Sequence, residues 1–332
     1  MKEKIAGTIY GMALGDAFGM PSELWPKETI KEYFGHISTL LEGPRENEVA
    51  KNYKRGQFTD DTGQALVFLD SLFSTNFKPD IEDLSRRLLK WAEDNSAFER
   101  NILGPTSRAI LSAIKNGQTQ NLKNISDKAI SNGSAMRIAP IGCLFHPTQS
   151  RQIAEYVKVI SSVTHSSDIS IAGSSIIAQG ISSAMVYDNF DDVLSDILNM
   201  EKISRPLGER TASPSLTERI KLAIFLANKY KSNQELFLDK LYDLIGTGVN
   251  ISESVPAAIA ISYYSQDPNR AAELSANLGG DTDTIGSMST AICGAFLGFN
   301  SINSKFIEIL DRANPIDFNY YIEHLYKQRF KI

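Results

Sequence analysis

Two short acidic runs carry the chemistry of this 332-residue sequence. Phe58-Thr59-Asp60-Asp61-Thr62 enters an apolar helical pattern, Ala65 to Leu69. Gly279-Gly280-Asp281-Thr282-Asp283-Thr284 leads into a second helix, expected to begin near Ile285. Either run alone reads as a helix cap, because Thr and Asp accept the free N–H groups of a first turn and a negative charge suits the helix dipole there. Two such runs exceed what capping needs. Adjacent carboxylates repel and require a compensating positive charge, yet neither run contains Lys or Arg. Cations are the partner this pattern implies. Asp carboxylates and Thr hydroxyls select hard ions, Mg²⁺ or Mn²⁺ ahead of Ca²⁺. Four carboxylates, Asp60, Asp61, Asp281 and Asp283, suit two divalent ions held close together.

The composition narrows the chemistry further. Four His and two Cys, Cys143 and Cys293, do not make the usual zinc sites and read as free thiols of a reducing compartment. Asp and Glu outnumber Lys and Arg by 39 to 34, for a formal charge of −5, and no long basic run exists. That balance argues against dedicated nucleic-acid binding. Two bound divalent ions would bring the charge to about −1. No run of 18 apolar residues is present, so no transmembrane helix is expected. Lys2 and Lys4 followed by Ile5 to Leu14 superficially resemble a signal peptide, but the stretch is glycine-rich and weakly apolar. A cytoplasmic protein is expected.

The elements that must position these runs are helical. Ile81, Leu84, Leu88 and Leu89 recur at i, i+3, i+7 and i+8, which predicts an amphipathic helix near 80–93. Similar stripes cover 150–163, 169–187, 215–231 and 234–245, and another helix runs from Asn269 to about Ala276. Strand alternation is scarce, and Asn116-Gly117 and Asn132-Gly133 lack alternating apolar flanks. Longer loops are expected near 35–58 and 201–214, neither of them a domain linker. The expected fold is all-α, a single domain over 1–332. Two helices carry small residues at strict i+4 spacing: Gly7, Gly11, Gly15 and Gly19, and Gly286, Thr290, Gly294 and Gly298. Each helical glycine costs about 1 kcal/mol relative to alanine. The stripes therefore predict two central helices whose backbones cross in close contact.

The motifs, in order, resemble those of a known family. Gly15-Asp16-Ala17-Phe18-Gly19 with Glu23 comes first, then Thr59-Asp60-Asp61-Thr62, then Asn132-Gly133-Ser134-Ala135-Met136-Arg137. Thr164-His165-Ser166, Glu253-Ser254-Val255-Pro256 and Gly279 to Thr284 complete the series. This sequence resembles the ADP-ribosylglycohydrolase family, which includes dinitrogenase-reductase-activating glycohydrolase and the ADP-ribosyl-acceptor hydrolases. The resemblance spans roughly residues 4 to 300. It implies a compact orthogonal helical bundle with a binuclear Mg²⁺ or Mn²⁺ site.

On that resemblance Thr59, Asp60 and Asp61 form one half of the metal site, and Asp281, Asp283 and Thr284 the other. Glu23 matches an acid implicated in catalysis. Asn132, Gly133 and Ser134 match the segment that cradles the diphosphate, and His165 matches a substrate-contacting His on the next helix. Val249 matches an apolar position packed against the adenine, and Gly104 with Pro105, Thr106 and Ser107 borders the substrate. Asp16 supports the metal site from behind, and Arg137 stays outside the site. Members acting on ADP-ribosyl-arginine often carry a further acid in the loop matching 91–107, where Glu93, Asp94 and Glu99 occur here.

The implied reaction is metal-assisted hydrolysis of an N- or O-glycosidic bond at the anomeric carbon of an ADP-ribosyl group, borne by a protein or a small molecule. It passes through an oxocarbenium-like state with Glu23 transferring the proton. Two alternatives share the same residues: a binuclear-metal phosphohydrolase and a catalytically silent ADP-ribose-binding relative.

Overall fold

Four glycines on the first helix determine how the molecule is built. The computed structural model describes residues 1–100 and 102–331. In chain order its α-helices are α1 (Lys2–Gly19), α2 (Lys27–Phe34), α3 (Asp60–Ser74), α4 (Ile81–Asp94), α5 (Pro105–Lys115), α6 (Leu122–Asp127), α7 (Ala139–Gly142), α8 (Ser150–Ser161), α9 (Asp168–Ala184), α10 (Phe190–Ser204), α11 (Leu216–Lys229), α12 (Gln234–Lys240), α13 (Ile251–Ser265), α14 (Pro268–Ala276), α15 (Thr282–Leu297), α16 (Ser304–Ala313) and α17 (Phe318–Arg329). Among the described residues there is no sheet, only the isolated bridges Trp25–Gly280, Ser131–Asn250 and Ser167–Glu209.

The two small-residue stripes meet. Gly7 lies against Gly294, Gly11 against Thr290, Gly15 against Gly286 and Gly19 against Thr282, so α1 and α15 run antiparallel with touching backbones. A methyl group built on Gly15 would overlap the Gly286 carbonyl oxygen, and one on Gly294 would overlap that of Gly7. Helices α9, α13 and α14 pack around α15. Every residue of α9 is buried, as expected of a helix with no polar face. Most of the buried apolar residues form one cluster from Ile5 to Leu325. The stretch likened to a signal peptide is thus a core helix.

Several boundaries differ from the sequence expectation. Helix α15 starts at Thr282 rather than near Ile285, so Asp283 and Thr284 belong to its first turn. The loop expected over 201–214 shrinks, because α10 runs to Ser204 and a 3₁₀ turn covers Arg205–Leu207. Val193, Ile197 and Met200 are the buried face of α10. His165 lies in the turn between α8 and α9, not on a helix. The helix expected over 234–245 widens into a π-turn at Leu241–Ile245.

Candidate active site

The site is assembled at the ends of the α1–α15 pair. Asp16, one turn before the end of α1, is fully buried. Its carboxylate accepts from the Thr59 N–H (2.7 Å), the Thr62 N–H (2.9 Å) and Thr62 Oγ1 (2.6 Å). Helix α1 thus caps α3, a task that a local Ser, Thr or Asp usually performs. Thr59 is the N-cap of α3 but makes no side-chain cap bond, and its Oγ1 donates to Asp283 Oδ2 at 3.3 Å instead. The first turns of α3 and α15 are thereby joined, bringing Asp60 and Asp61 to the side of Asp283.

Asp281 stands at the N-cap of α15 after Gly279 and Gly280, whose φ values of +85° and +83° favour glycine. The Gly280 carbonyl accepts from the Leu24 N–H (2.7 Å), and its N–H donates to the Trp25 carbonyl (2.9 Å). This bridge pins the Glu23 segment against the Asp281 turn. One oxygen from each of Glu23, Asp281 and Asp283 lies within 4.8 Å of the others.

These groups face a cavity of about 330 Å³, within the range of small-molecule sites. Glu23, Asp60, Asp61, Asp281, Asp283 and Thr284 line it, together with Gly104, Asn132, Gly133 and Val249. Asn132 Nδ2 donates to Asp281 Oδ2 and to Ser254 Oγ (3.1 Å), and its N–H donates to the Val249 carbonyl (2.9 Å). The Asn132–Gly133 wall is therefore fastened both to the carboxylates and to the loop before α13.

The carboxylates are crowded. Burial, with Asp16 as the strongest neighbouring charge, pushes Asp60 up to about 8. Burial and the other carboxylates hold Asp61, Asp283 and Glu23 well above their ordinary ranges. Asp61 Oδ2 and Asp283 Oδ1 are buried without a hydrogen-bond partner. Such groups are costly unless something positive pairs with them. An all-oxygen donor set of this kind fits hard divalent cations.

Three expected site residues do not line the cavity. Thr59 lies behind it, bonded to Asp283. Ser134 is turned into the core, where its Oγ accepts from Ser174 of α9 at 2.8 Å. His165 is fully buried; its Nδ1 pairs with Thr164 Oγ1 (2.7 Å) and its Nε2 with Ser131 Oγ (2.9 Å). A Cβ at Gly133 would stand 2.9 Å from His165 Cε1, so the ring backs the wall instead of facing a ligand. Burial lowers this imidazole to about 3, which keeps it neutral.

Of the segment expected as a loop over 91–107, Glu93 and Asp94 belong to the last turn of α4, where Glu93 pairs with Lys115 (3.3 Å) and Asp94 with Lys90 (2.9 Å). Glu99 follows the helix and is exposed. None of the three lines the cavity. Asn101 lies outside the described residues. Pro105 and Ser107, expected to border the substrate, do line the cavity, and it also takes in Leu24 and Arg108, which the motifs did not mark. Arg137, expected to stay outside the site, stands behind Asp60 together with Gln64, which the motifs did not mark.

The family model for ADP-ribosylglycohydrolase matches residues 1–330. The chain belongs to the ADP-ribosylglycohydrolase family. That places it among enzymes. It is 41% identical to the uncharacterised protein YegU of Escherichia coli, over 98% of this chain and 97% of that one. It is 26% identical to ADP-ribosylhydrolase ARH3 of Xenopus tropicalis, over 90% of this chain and 88% of that one. It is 24% identical to ADP-ribosylarginine hydrolase Tri1 of Serratia proteamaculans, over 95% and 77%. Among solved structures, an ADP-ribosylglycohydrolase-related protein complex has the same fold, with a TM-score of 0.70 at 19% identity over 99% of this chain and 98% of that one. No helix among the described residues is long and apolar enough to cross a membrane.

Proposed function

We propose that this member of the ADP-ribosylglycohydrolase family hydrolyses the glycosidic bond of an ADP-ribosyl group carried by a protein or a small molecule, releasing ADP-ribose. The observation that carries the reading is the convergence of Glu23, Asp60, Asp61, Asp281 and Asp283 on one cavity beside the Asn132–Gly133 wall. Relatives named as an ADP-ribosylhydrolase and an ADP-ribosylarginine hydrolase support the substrate class.

Asp60 and Asp61 on one side and Asp281, Asp283 and Thr284 on the other would hold two divalent cations, Mg²⁺ or Mn²⁺, with Thr59 steadying Asp283 from behind. The unpartnered oxygens of Asp61 and Asp283 support that assignment. Bound there, the cations would supply Lewis acidity and a template for the ribose hydroxyls. The backbone of the Asn132–Gly133 wall would receive phosphate oxygens, with Gly104 and Val249 bordering the same space. In the reaction, the bond from the anomeric carbon to the leaving nitrogen or oxygen breaks and a water oxygen takes its place. Glu23 accepts the proton from that water and delivers it to the leaving atom. The chain acts as one domain over 1–332 in the cytoplasm, a setting that suits its two free, buried cysteines.

The test incubates the protein with ADP-ribosylated arginine, ADP-ribosylated serine and small-molecule ADP-ribosyl substrates, each with Mg²⁺ or Mn²⁺. Release of intact ADP-ribose supports the reading. Release of inorganic phosphate or AMP would make the protein a phosphohydrolase, and tight ADP-ribose binding without turnover would make it a silent relative.

A further inference from the structure

Arg137 is one of the largest fully buried side chains in the molecule, and its guanidinium lies over the Phe68 ring, 4.5 Å from the centroid. It sits behind the cavity with its two terminal nitrogens pointing to different neighbours. One donates to Gln64 Oε1, and Gln64 Nε2 in turn donates to Asp60 Oδ2 at 2.8 Å. The other donates to Thr164 Oγ1, which is bonded to His165 Nδ1. His165 then reaches Ser131 Oγ and backs Gly133. Gln64, Thr164 and His165 are all fully buried, so neither branch has water as a substitute partner.

We propose that Arg137 is a positioning residue that fixes the cavity's two halves relative to each other: Asp60 through Gln64, and the Ser131–Gly133 wall through Thr164 and His165. The inference rests on the reading that Asp60 holds a cation and that the wall receives the ADP-ribosyl group. A guanidinium suits the task because its planar fork presents separate donors in fixed directions, whereas a lysine ammonium is one point charge on a flexible stem. Partners one bond removed from a metal ligand set that ligand's orientation, and removing them typically costs about 10–100-fold in metal affinity. Here one side chain performs that service for a carboxylate and for a substrate wall at once.

The two branches make the inference separable. Gln64→Met cuts the first branch, Thr164→Val the second, and Arg137→Met both. Each variant is stripped of metal and titrated with Mn²⁺ by calorimetry, then titrated with ADP-ribose at saturating Mn²⁺. Gln64→Met is expected to weaken Mn²⁺ binding about tenfold and to leave the ADP-ribose affinity within about twofold of wild type. Thr164→Val is expected to show the reverse, with about a tenfold loss in ADP-ribose affinity. Arg137→Met should lose both, and Arg137→Lys should not restore both together. A purely structural role would lower the melting temperature without this pattern. The inference is overturned if Gln64→Met and Thr164→Val give the same profile, or if Arg137→Met keeps both affinities. Should Arg137→Met not fold, the two single-branch variants decide. Failure of the wild type itself to bind ADP-ribose would count against the proposed function, and the Mn²⁺ titrations would still test the Gln64 branch.

Discussion

Asp16 of α1 bonds both the N–H and the hydroxyl of Thr62 in α3, at 2.9 and 2.6 Å, so the glycine-striped core helix supplies the cap of the helix that carries Asp60 and Asp61. The geometry of the carboxylate cluster and the stability of the core therefore share one buried carboxylate. Asp16→Ala would leave three donors, two on Thr62 and the Thr59 N–H, without an acceptor. It should destabilise the protein by about 3–5 kcal/mol in chemical denaturation. Mn²⁺ binding should also weaken by about tenfold or more, because α3 loses the contact that orients its first turn. A variant with wild-type Mn²⁺ affinity would show that Asp16 serves stability alone.

The α1–α15 crossing permits a sharper stability test. A methyl at position 15 would have to displace the backbone at Gly286, which has no flexible end to give way. Gly15→Ala should cost about 3 kcal/mol or more, despite the better helix propensity of alanine. Gly104→Ala is the control, since nothing lies within 4 Å of its added Cβ, and its stability should stay within about 0.5 kcal/mol of wild type. Equal melting temperatures for the two variants would refute the close crossing.

The features that sequence made legible are those that violate a local norm. Repelling carboxylates at Asp60-Asp61 and Asp281-x-Asp283 demand a partner, and glycines at i+4 inside a helix demand a close neighbour; the structure supplies the crossing and gathers the carboxylates. What stayed illegible depends on distant partners. Arg137 sits in an apolar run beside Met136 and Ile138, and its acceptors Gln64 and Thr164 lie 73 and 27 residues away. His165 has the residue type of a ligand contact, but its two ring bonds turn it into a support for Gly133. Helix α13 contains Pro256, which lacks the N–H an interior helical position needs, yet the helix runs from Ile251 to Ser265.

The crowded carboxylates make stability depend on pH in a defined direction. Burial raises Asp16 to about 6 and Asp60 to about 8, both above the ordinary 3.8. The folded protein then binds more protons than the unfolded chain between those values, so this contribution is complete below the unfolded pKa and is lost as pH rises through the folded ones. Metal-free protein should melt at a lower temperature at about pH 8.5 than at about pH 5.5. Divalent cations bound at the proposed site would replace those protons, so Mg²⁺ or Mn²⁺ should raise the melting temperature more at the higher pH. Calorimetry with EDTA and with each ion checks both statements; a metal-free melting temperature that climbs over this window would contradict the first.

Glu23 can be separated from the carboxylates around it by a change that keeps its shape. Its backbone is held independently of its side chain: the N–H donates to the Met20 carbonyl, and the Glu23 carbonyl accepts from Asn47 Nδ2 at 2.9 Å. Glu23→Gln should therefore leave the segment in place while removing the group proposed to accept and return a proton. At saturating Mn²⁺, kcat should fall by about 10²–10⁴-fold, with ADP-ribose affinity within about threefold of wild type. Asp283→Ala should behave differently, losing Mn²⁺ binding in calorimetry along with activity, because one of its oxygens has no partner within the protein. Because Glu23 also lies within 4.8 Å of Asp281 and Asp283, saturation with Mn²⁺ is the condition that distinguishes the roles. Turnover restored by excess Mn²⁺ in Glu23→Gln would make Glu23 a cation ligand and leave the proton to another group.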